Sequence, residues 1–171
     1  MNIMKNVEIE KLTLNIGAGK SQDRLEKGVK LLKMITGIAP VKTVTKKRIP
    51  AWNLRPGLPV GCKLTIRKNS KPLITTLLKA KGNVLKQNNF DEEGNVSFGI
   101  HEYIDIPGIR YEPEIGMMGL QVCISLKRRG GYRTKYRKEK QKTIPARHRV
   151  TQEDAVKFME KEFGIKIGGE E

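Results

Sequence analysis

Apolar and polar residues alternate along four stretches of the chain, which is the pattern of β-strands that bury one face. The stretches are residues 7–16, 58–67, 95–104 and 120–127. In the second stretch, apolar residues recur from Val60 to Ile66, while Lys63 and Thr65 lie between them. The alternation of the first stretch slips at Glu10, which predicts a β-bulge there. These patterns predict a sheet with one apolar and one polar face.

Three other stretches carry apolar residues at the spacing of an amphipathic helix. A residue that can cap the first turn precedes each of them, and a glycine that can end the helix follows. These pairs are Ser21 with Gly37, Asn69 or Ser70 with Gly82, and Thr151 with Gly164. The elements predict an α+β fold: a single antiparallel-rich sheet with helices packed on one face, a polar basic opposite face and a long basic loop. We expect residues 1–171 to form a single RNA-binding domain with a basic flexible insertion at about residues 127–149.

The charge of the chain narrows the class of partner. Lys and Arg number 34 against 18 Asp and Glu, a formal net charge of +16. Residues 41–71 hold nine basic and no acidic residues, and residues 127–149 hold eleven basic and one acidic residue. These segments sum to +9 and +10, so the rest of the chain carries −3. A local excess of this kind is typical of phosphate-facing surfaces and predicts a nucleic-acid partner.

Other settings and chemistries have little support in the sequence. No apolar run approaches the about 20 residues of a spanning helix, so we expect no membrane partner. Cys62 and Cys123 lie in alternating segments and favour a reducing, intracellular setting over a disulfide framework. His101 and His148 have no zinc-ligand spacing with either cysteine. We therefore expect no metal and no cofactor.

One stretch, residues 15–21 with the sequence NIGAGKS, resembles the end of a nucleotide-binding loop. The full pattern G-x-x-x-x-G-K-[ST] would need a glycine at position 14, where the chain has Leu14. Without that glycine the backbone cannot begin to wrap around a phosphate. We therefore predict that the chain is not an enzyme, and a nucleotide-binding enzyme built on this loop is the alternative interpretation.

Two basic segments combine cations with aromatic residues. Residues 46–59 form a loop by their three prolines, and Trp52 among its cations could either stack on a base or fold into the core. Residues 127–149 have too few apolar residues to fold by burial, so we expect a mobile segment that orders against RNA. The additional RNA contacts predicted there are Arg128, Arg129, Tyr132, Arg133, Lys135, Tyr136 and Arg137.

Three stretches of the chain resemble the ribosomal protein L5 family of the large subunit, in its archaeal form. They are residues 11–67, 94–120 and 146–164, and they include the motif TGIAPV at 36–41 and the archaeal-type motif GIRYEPEIG at 108–116. The resemblance implies a cytoplasmic ribosomal protein that binds 5S rRNA in the central protuberance. It also implies large-subunit rRNA, P-site tRNA, the small-subunit protein S13 at an intersubunit bridge, and other central-protuberance proteins as partners. A free RNA chaperone or translational repressor is a further alternative.

The family's functional positions carry over to two groups of residues. Those implied to bind 5S rRNA are Asn15, Lys20, Thr43, Thr45, Lys46, Lys63 and Arg67. The loop between the second and third strands, here about residues 47–57, is implied to reach P-site tRNA. Its contact residues would be Lys47, Arg48, Trp52, Asn53 and Arg55. The resemblance assigns no residue to the bridge.

Overall fold

A computed structural model of the chain describes residues 2–130 and 133–168. The strands are β1 (Val7–Gly17), β2 (Val41–Val44), β3 (Pro59–Ile66), β4 (Val84–Lys86), β5 (Val96–Ile100), β6 (Leu120–Arg128) and β7 (Lys166–Gly168). The helices are α1 (Gln22–Thr36), α2 (Lys71–Ala80), α3 (Arg133–Tyr136) and α4 (Gln152–Phe163). An antiparallel sheet has the order β2-β3-β1-β6-β5, and β4 pairs in parallel with β7. The predicted α+β class is confirmed.

The alternation of the central strand β1 sorts the two faces of the sheet. Leu12 and Leu14 are fully buried, and they pair with buried residues of β6 and with the partly buried Ile66 and the buried Leu64 of β3. The predicted bulge is confirmed, because the pairing of β1 with β6 shifts register between Ile9 and Lys11. The buried side chains of the sheet share one apolar core with those of three helices, among them Leu31 of α1, Leu77 of α2 and Met159 of α4. The packing of every helix on a single face, and the basic character of the other, stay predictions.

The strand predicted for residues 95–104 is too long. β5 ends at Ile100, and a short 3-10 turn follows at Tyr103–Asp105. The cause is the side chain of Tyr103, which is fully buried. Its phenol oxygen accepts a hydrogen bond from the backbone N–H of Glu112 at 2.9 Å, so the chain folds back on itself instead of continuing the sheet. The salt bridge between Lys30 and Glu114, at 2.8 Å, ties the same loop to α1.

The predicted caps form at the first and last long helices. Ser21 accepts a hydrogen bond from the backbone N–H of Arg24 at 3.4 Å, and α1 ends at Gly37 in the left-handed conformation. Thr151 and Asp154 form a reciprocal capping box at the start of α4, which ends at Gly164. Such caps satisfy backbone groups that a helix leaves unpaired at its ends. They explain why these helix bounds could be predicted closely.

The capping box of α4 also joins the helix to the sheet. The guanidinium of Arg128, at the end of β6, donates a hydrogen bond to the Asp154 carboxylate. Burial favours the neutral carboxyl, but hydrogen bonds from Arg128 and Thr151 outweigh it and lower the pKa of Asp154 below its ordinary value. The ionised carboxylate is therefore part of what holds α4 against β6.

Replacing Asp154 with Asn should lower the free energy of unfolding by an amount that depends on pH. A lowered pKa means that the carboxylate stabilises the fold fully above about pH 4 and loses this effect as the pH falls through the folded-state pKa. We expect the free energy of unfolding to fall by about 1 kcal/mol near pH 7, and the difference to shrink below about pH 4. Urea unfolding at a series of pH values measures it.

Glu160→Gln is the matched control, because Glu160 is an exposed acid on the same helix. We expect it to change the free energy of unfolding by less than about 0.5 kcal/mol. If the free energies of unfolding of Asp154→Asn and the parent protein differed by the same amount from pH 7 to pH 3, this would contradict the role given to the carboxylate.

Candidate nucleic-acid interface

The strand register places polar side chains in rows across the face of the sheet opposite the buried leucines. One row runs through Thr65, Thr13, Cys123 and Ser97, and the next through Lys63, Asn15, Gln121 and Gly99. The amide of Asn15 donates to the side-chain oxygen of Gln121 at 3.1 Å, which fixes both amides at the centre of this face. Lys63 is exposed beside them. Two of the residues implied to bind 5S rRNA, Asn15 and Lys63, are thus direct neighbours.

Two facing glycines, one exposed and one buried, form a floor next to this pair. Gly17 and Gly61 are opposite each other in the register, and Thr43 of β2 is opposite Gly61. A Cβ atom on Gly61 would lie 2.7 Å from the carbonyl oxygen of Ile16 and 3.1 Å from the Thr43 hydroxyl, so no larger residue fits. Gly61 is itself buried, whereas Gly17 is exposed and a Cβ atom on it would meet nothing within 4 Å, so the floor faces open space at Gly17. We call Asn15, Thr43, Lys63 and these glycines the open half of the polar face.

The sequence did not predict Gly61 as part of the candidate site. The signal was present, since a glycine inside an alternating strand often marks the close approach of another backbone or a ligand.

The turn in NIGAGKS joins the open half to α1. The backbone N–H groups of Ala18 and Gly19 both donate to the carbonyl oxygen of Val60, at 2.9 and 3.0 Å. These two donors are therefore occupied by β3 and cannot surround a nucleotide phosphate. Lys20 is exposed at the end of the turn, beside Ser21 at the cap of α1.

The loop between β2 and β3 is a braced arm. Two backbone hydrogen bonds close the base of the arm. The Thr45 N–H donates to the carbonyl of Leu58, and the Gly57 N–H donates to the carbonyl of Thr45, both at 2.9 Å. The Thr45 hydroxyl donates to the carbonyl of Arg55, so its hydrogen is already bonded within the protein. Near the tip, Ile49 and Leu54 pair through two backbone hydrogen bonds, and Leu54 is buried.

The structure places Trp52 outside the core, and its stacking on a base stays a prediction. Its side chain is 67% exposed, at the end of a 3-10 turn over Pro50–Trp52. Asn53 follows in the left-handed conformation, with φ at 52°. The cations of the arm are also exposed; they are Lys46, Lys47, Arg48 and Arg55. The arm therefore presents an aromatic side chain among positive charges.

Part of the second basic segment lies against the other end of the polar face. Ser97, Cys123 and Ser125 of the sheet face residues 135–136 and 141–144 across one cleft. Ile144 is only 9% exposed, and the phenol of Tyr136 donates to the Glu10 carboxylate. We call this end of the sheet the covered half. Burial raises the pKa of the Cys123 thiol there, as it does for Cys62 in the core.

The residues predicted to bind RNA in this segment differ in their accessibility. Arg128 has a side chain only 14% exposed and bonded to Asp154, so its charge is used within the fold. Arg129 lies 3.5 Å from Glu8 and is exposed. Lys135, Tyr136 and Arg137 are also exposed. Tyr132 and the side chain of Arg133 lie outside the described residues, and the mobility of the segment stays a prediction.

Within residues 2–130 and 133–168, no group of three His, Cys, Asp or Glu side chains could hold a metal ion. The helices described there are also too short or too polar to cross a membrane.

Two family models match the chain in succession. The model described as "Ribosomal protein L5" matches residues 2–55, and the model of the C-terminus of the same ribosomal family matches residues 59–158. Among similar proteins are three named "Large ribosomal subunit protein uL5". The Sulfolobus acidocaldarius protein is 46% identical, over 97% of this chain and 93% of its own. The proteins of Nanoarchaeum equitans and Thermoplasma volcanium are 44% and 42% identical, over 96% and 98% of this chain and 97% and 99% of theirs.

The thiol of Cys123 offers a test of how Ile144 holds the basic segment. Ile144→Ala should loosen residues 141–144 and raise the rate at which a thiol reagent modifies Cys123 by about tenfold, since shortening a buried side chain weakens local packing. Cys62 is an internal control because it is fully buried in the core. Ile104→Ala, at a more exposed isoleucine elsewhere, is the matched variant. Equal Cys123 rates in the parent and Ile144→Ala proteins would show that Ile144 does not hold the segment.

Proposed function

Because the chain belongs to the ribosomal protein L5 family, in its archaeal form, and is a structural protein of the large ribosomal subunit, we propose that it binds 5S rRNA through the open half of its polar face. The observation that carries this proposal is the exposed backbone of Gly17, in the glycine floor beside Lys63 and Asn15. Bare backbone admits a sugar–phosphate chain closely, and a lysine and an amide at its border can bind phosphate and ribose oxygens. Thr43 and Lys20 extend the same border.

Thr45 and Lys46 would contribute in different ways. The Thr45 hydroxyl donates within the arm, so it would hold the arm in place rather than donate to RNA. Lys46 is exposed at the junction of the arm and the open half, where it could neutralise a phosphate of either RNA partner.

The braced arm between β2 and β3 is the part that we propose reaches P-site tRNA. Stacking of an aromatic ring on a base or ribose needs an exposed and well-placed side chain. The pairing of Ile49 with Leu54 and the burial of Leu54 hold the tip in shape, while Trp52 stays exposed. Lys47, Arg48, Asn53 and Arg55 would bind the neighbouring phosphates.

The remaining roles rest on the family alone or on charge. We propose that the chain helps to attach 5S rRNA in the central protuberance of the cytoplasmic ribosome, beside other proteins of that region, and takes part in a bridge to small-subunit protein S13. It would have no catalytic activity, no cofactor and no membrane partner. The exposed cations Arg129, Lys135 and Arg137 would add contacts to rRNA, within one domain whose insertion orders on the RNA.

Lys63→Ala should weaken 5S rRNA binding several-fold near about 0.15 M salt. The slope of log affinity against log salt should fall by about one, the value for one lost phosphate contact. Lys42→Ala is the control of equal charge, because Lys42 is opposite Cys62 in the register and so lies on the other face from Lys63. Filter binding or calorimetry over a salt series measures both. Equal slopes for Lys63→Ala and the parent protein would remove Lys63 from the interface, and stoichiometric ATP or GTP binding would favour the enzyme interpretation.

Trp52→Ala should separate the two RNA partners. Loss of one stacking contact should weaken P-site tRNA binding by about tenfold in ribosomes assembled with the variant, while isolated 5S rRNA binding stays near the parent value. Tyr111→Ala serves as the control because Tyr111 is another exposed aromatic residue, outside the arm. If Trp52→Ala weakened 5S rRNA binding as strongly as tRNA binding, the two surfaces would not be separate.

A further inference from the structure

A second candidate site lies at the N-terminus of α2, away from the glycine floor. A cavity of about 690 Å³ opens between the start of β1, the start of α2 and one side of α4. The residues used below that line it are Glu8, Arg67, Asn69, Ser70, Lys71 and Glu162. Arg67 was grouped with Lys63 by the family resemblance, but it follows the end of β3 and lines this cavity.

Ser70 is the residue that distinguishes this cavity. It is the buried polar residue of the described chain, with 5% of its surface exposed. It occupies the cap position of α2, yet its side chain makes no capping hydrogen bond, unlike Ser21 and Thr151. Among the described residues, the side-chain polar atoms that are closed off from solvent and have no hydrogen-bond partner belong to Arg128 and His148. The Ser70 hydroxyl is not one of them, so it keeps access to the cavity that Ser70 lines. A hydroxyl that opens into a cavity without a protein partner is able to bond a ligand there.

The backbone around Ser70 is shaped to receive an anion. Asn69 has a φ of 51° in the left-handed region, and Ser70 follows in the right-handed helical region. This succession points consecutive N–H groups into one concavity. Pro72 has no N–H, so the donors left at this helix start are those of Ser70, Lys71 and Leu73. The positive end of the helix dipole adds to them.

The acidic and basic side chains at the cavity offset one another, which favours an anion that other contacts also hold in place. Lys71 pairs with Glu162 at 2.7 Å, and Glu8 lies 3.5 Å from Arg129, so both carboxylates already have cationic partners. Arg67 is exposed, and within the described part of the chain no salt bridge engages it. Its guanidinium can bind a phosphate through two parallel hydrogen bonds.

We propose that this cavity binds one phosphate group of the rRNA backbone. The Ser70 hydroxyl and the N–H groups of Lys71 and Leu73 hold the phosphate oxygens, and Arg67 closes over them. The proposal rests on the proposed function, because the rest of the RNA brings the phosphate to a site whose own net charge is small. It adds to the open half a second anchor, beyond the opposite end of β3 from Gly61.

The test uses the full chain and two readouts. The first is 5S rRNA affinity for Arg67→Ala and Ser70→Ala, with Lys68→Ala as the control, because Lys68 is an adjacent exposed cation that does not line the cavity. We expect affinity to fall about tenfold for Arg67→Ala and about fivefold for Ser70→Ala, and less than twofold for Lys68→Ala. The second is the NMR shift of the Ser70, Lys71 and Leu73 amides on adding 5S rRNA or inorganic phosphate.

Shifts of these amides with 5S rRNA support the proposal, and shifts with inorganic phosphate as well show that the site binds phosphate by itself. No shift with either ligand, or equal effects of Arg67→Ala and Lys68→Ala, would overturn it. If Ser70→Ala failed to fold by thermal unfolding, Arg67→Ala and the parent amide shifts would still decide. Loss of affinity in Lys63→Ala without any effect at this cavity would reject the cavity alone, whereas absence of all 5S rRNA binding would reject the proposed function itself.

Discussion

The double pairing of β1 is the constraint on which the rest of the structure depends. β1 bonds to β3 on one side and to β6 on the other, so its register decides which side chains meet on each face of the sheet. A slip by one residue would exchange the buried Leu12 and Leu14 for Thr13 and Asn15. The cost of burying those polar groups fixes the register. The same choice that builds the apolar core therefore builds the polar face, and the bulge after Ile9 keeps both faces in phase along the strand.

The polar face is then divided by what lies on it. At one end, Gly17 leaves the backbone of β1 exposed opposite the buried Gly61 of β3. At the other end, residues 135–136 and 141–144 lie across a cleft from β5 and β6, with Ile144 buried and Tyr136 bonded to Glu10. A segment with many cations can lie against the protein in this way because acidic side chains meet it along one edge. Exposed cations of the segment, such as Lys135 and Arg137, can meet a polyanion.

The sequence predicted what short-range rules determine, and it failed where distant contacts decide. The caps at Ser21 and Thr151 and the alternation of β3 are local, and the structure has them. β2, β4 and β7 are strands of three or four residues, too short to show a period, so the alternation did not predict them. β5 was predicted too long because the burial of Tyr103 in a folded-back loop leaves no trace in the alternation. For the candidate site, charge identified the arm and its cations, whereas the exposure of Trp52 and the pairing of Arg128 with Asp154 needed coordinates.

Phosphate recognition in this chain is better judged from free backbone donors than from sequence motifs. The stretch NIGAGKS looks like a phosphate loop, but Val60 already accepts hydrogen bonds from the N–H groups of Ala18 and Gly19. The stretch RKNSK at residues 67–71 matches no phosphate motif, yet it leaves the Ser70 hydroxyl without a partner at a helix start. A glycine-rich sequence supplies the flexibility for an anion site, but the tertiary fold decides whether its N–H donors already form hydrogen bonds inside the protein. Donors that the fold leaves free, beside a cation such as Arg67, are what an RNA phosphate can use.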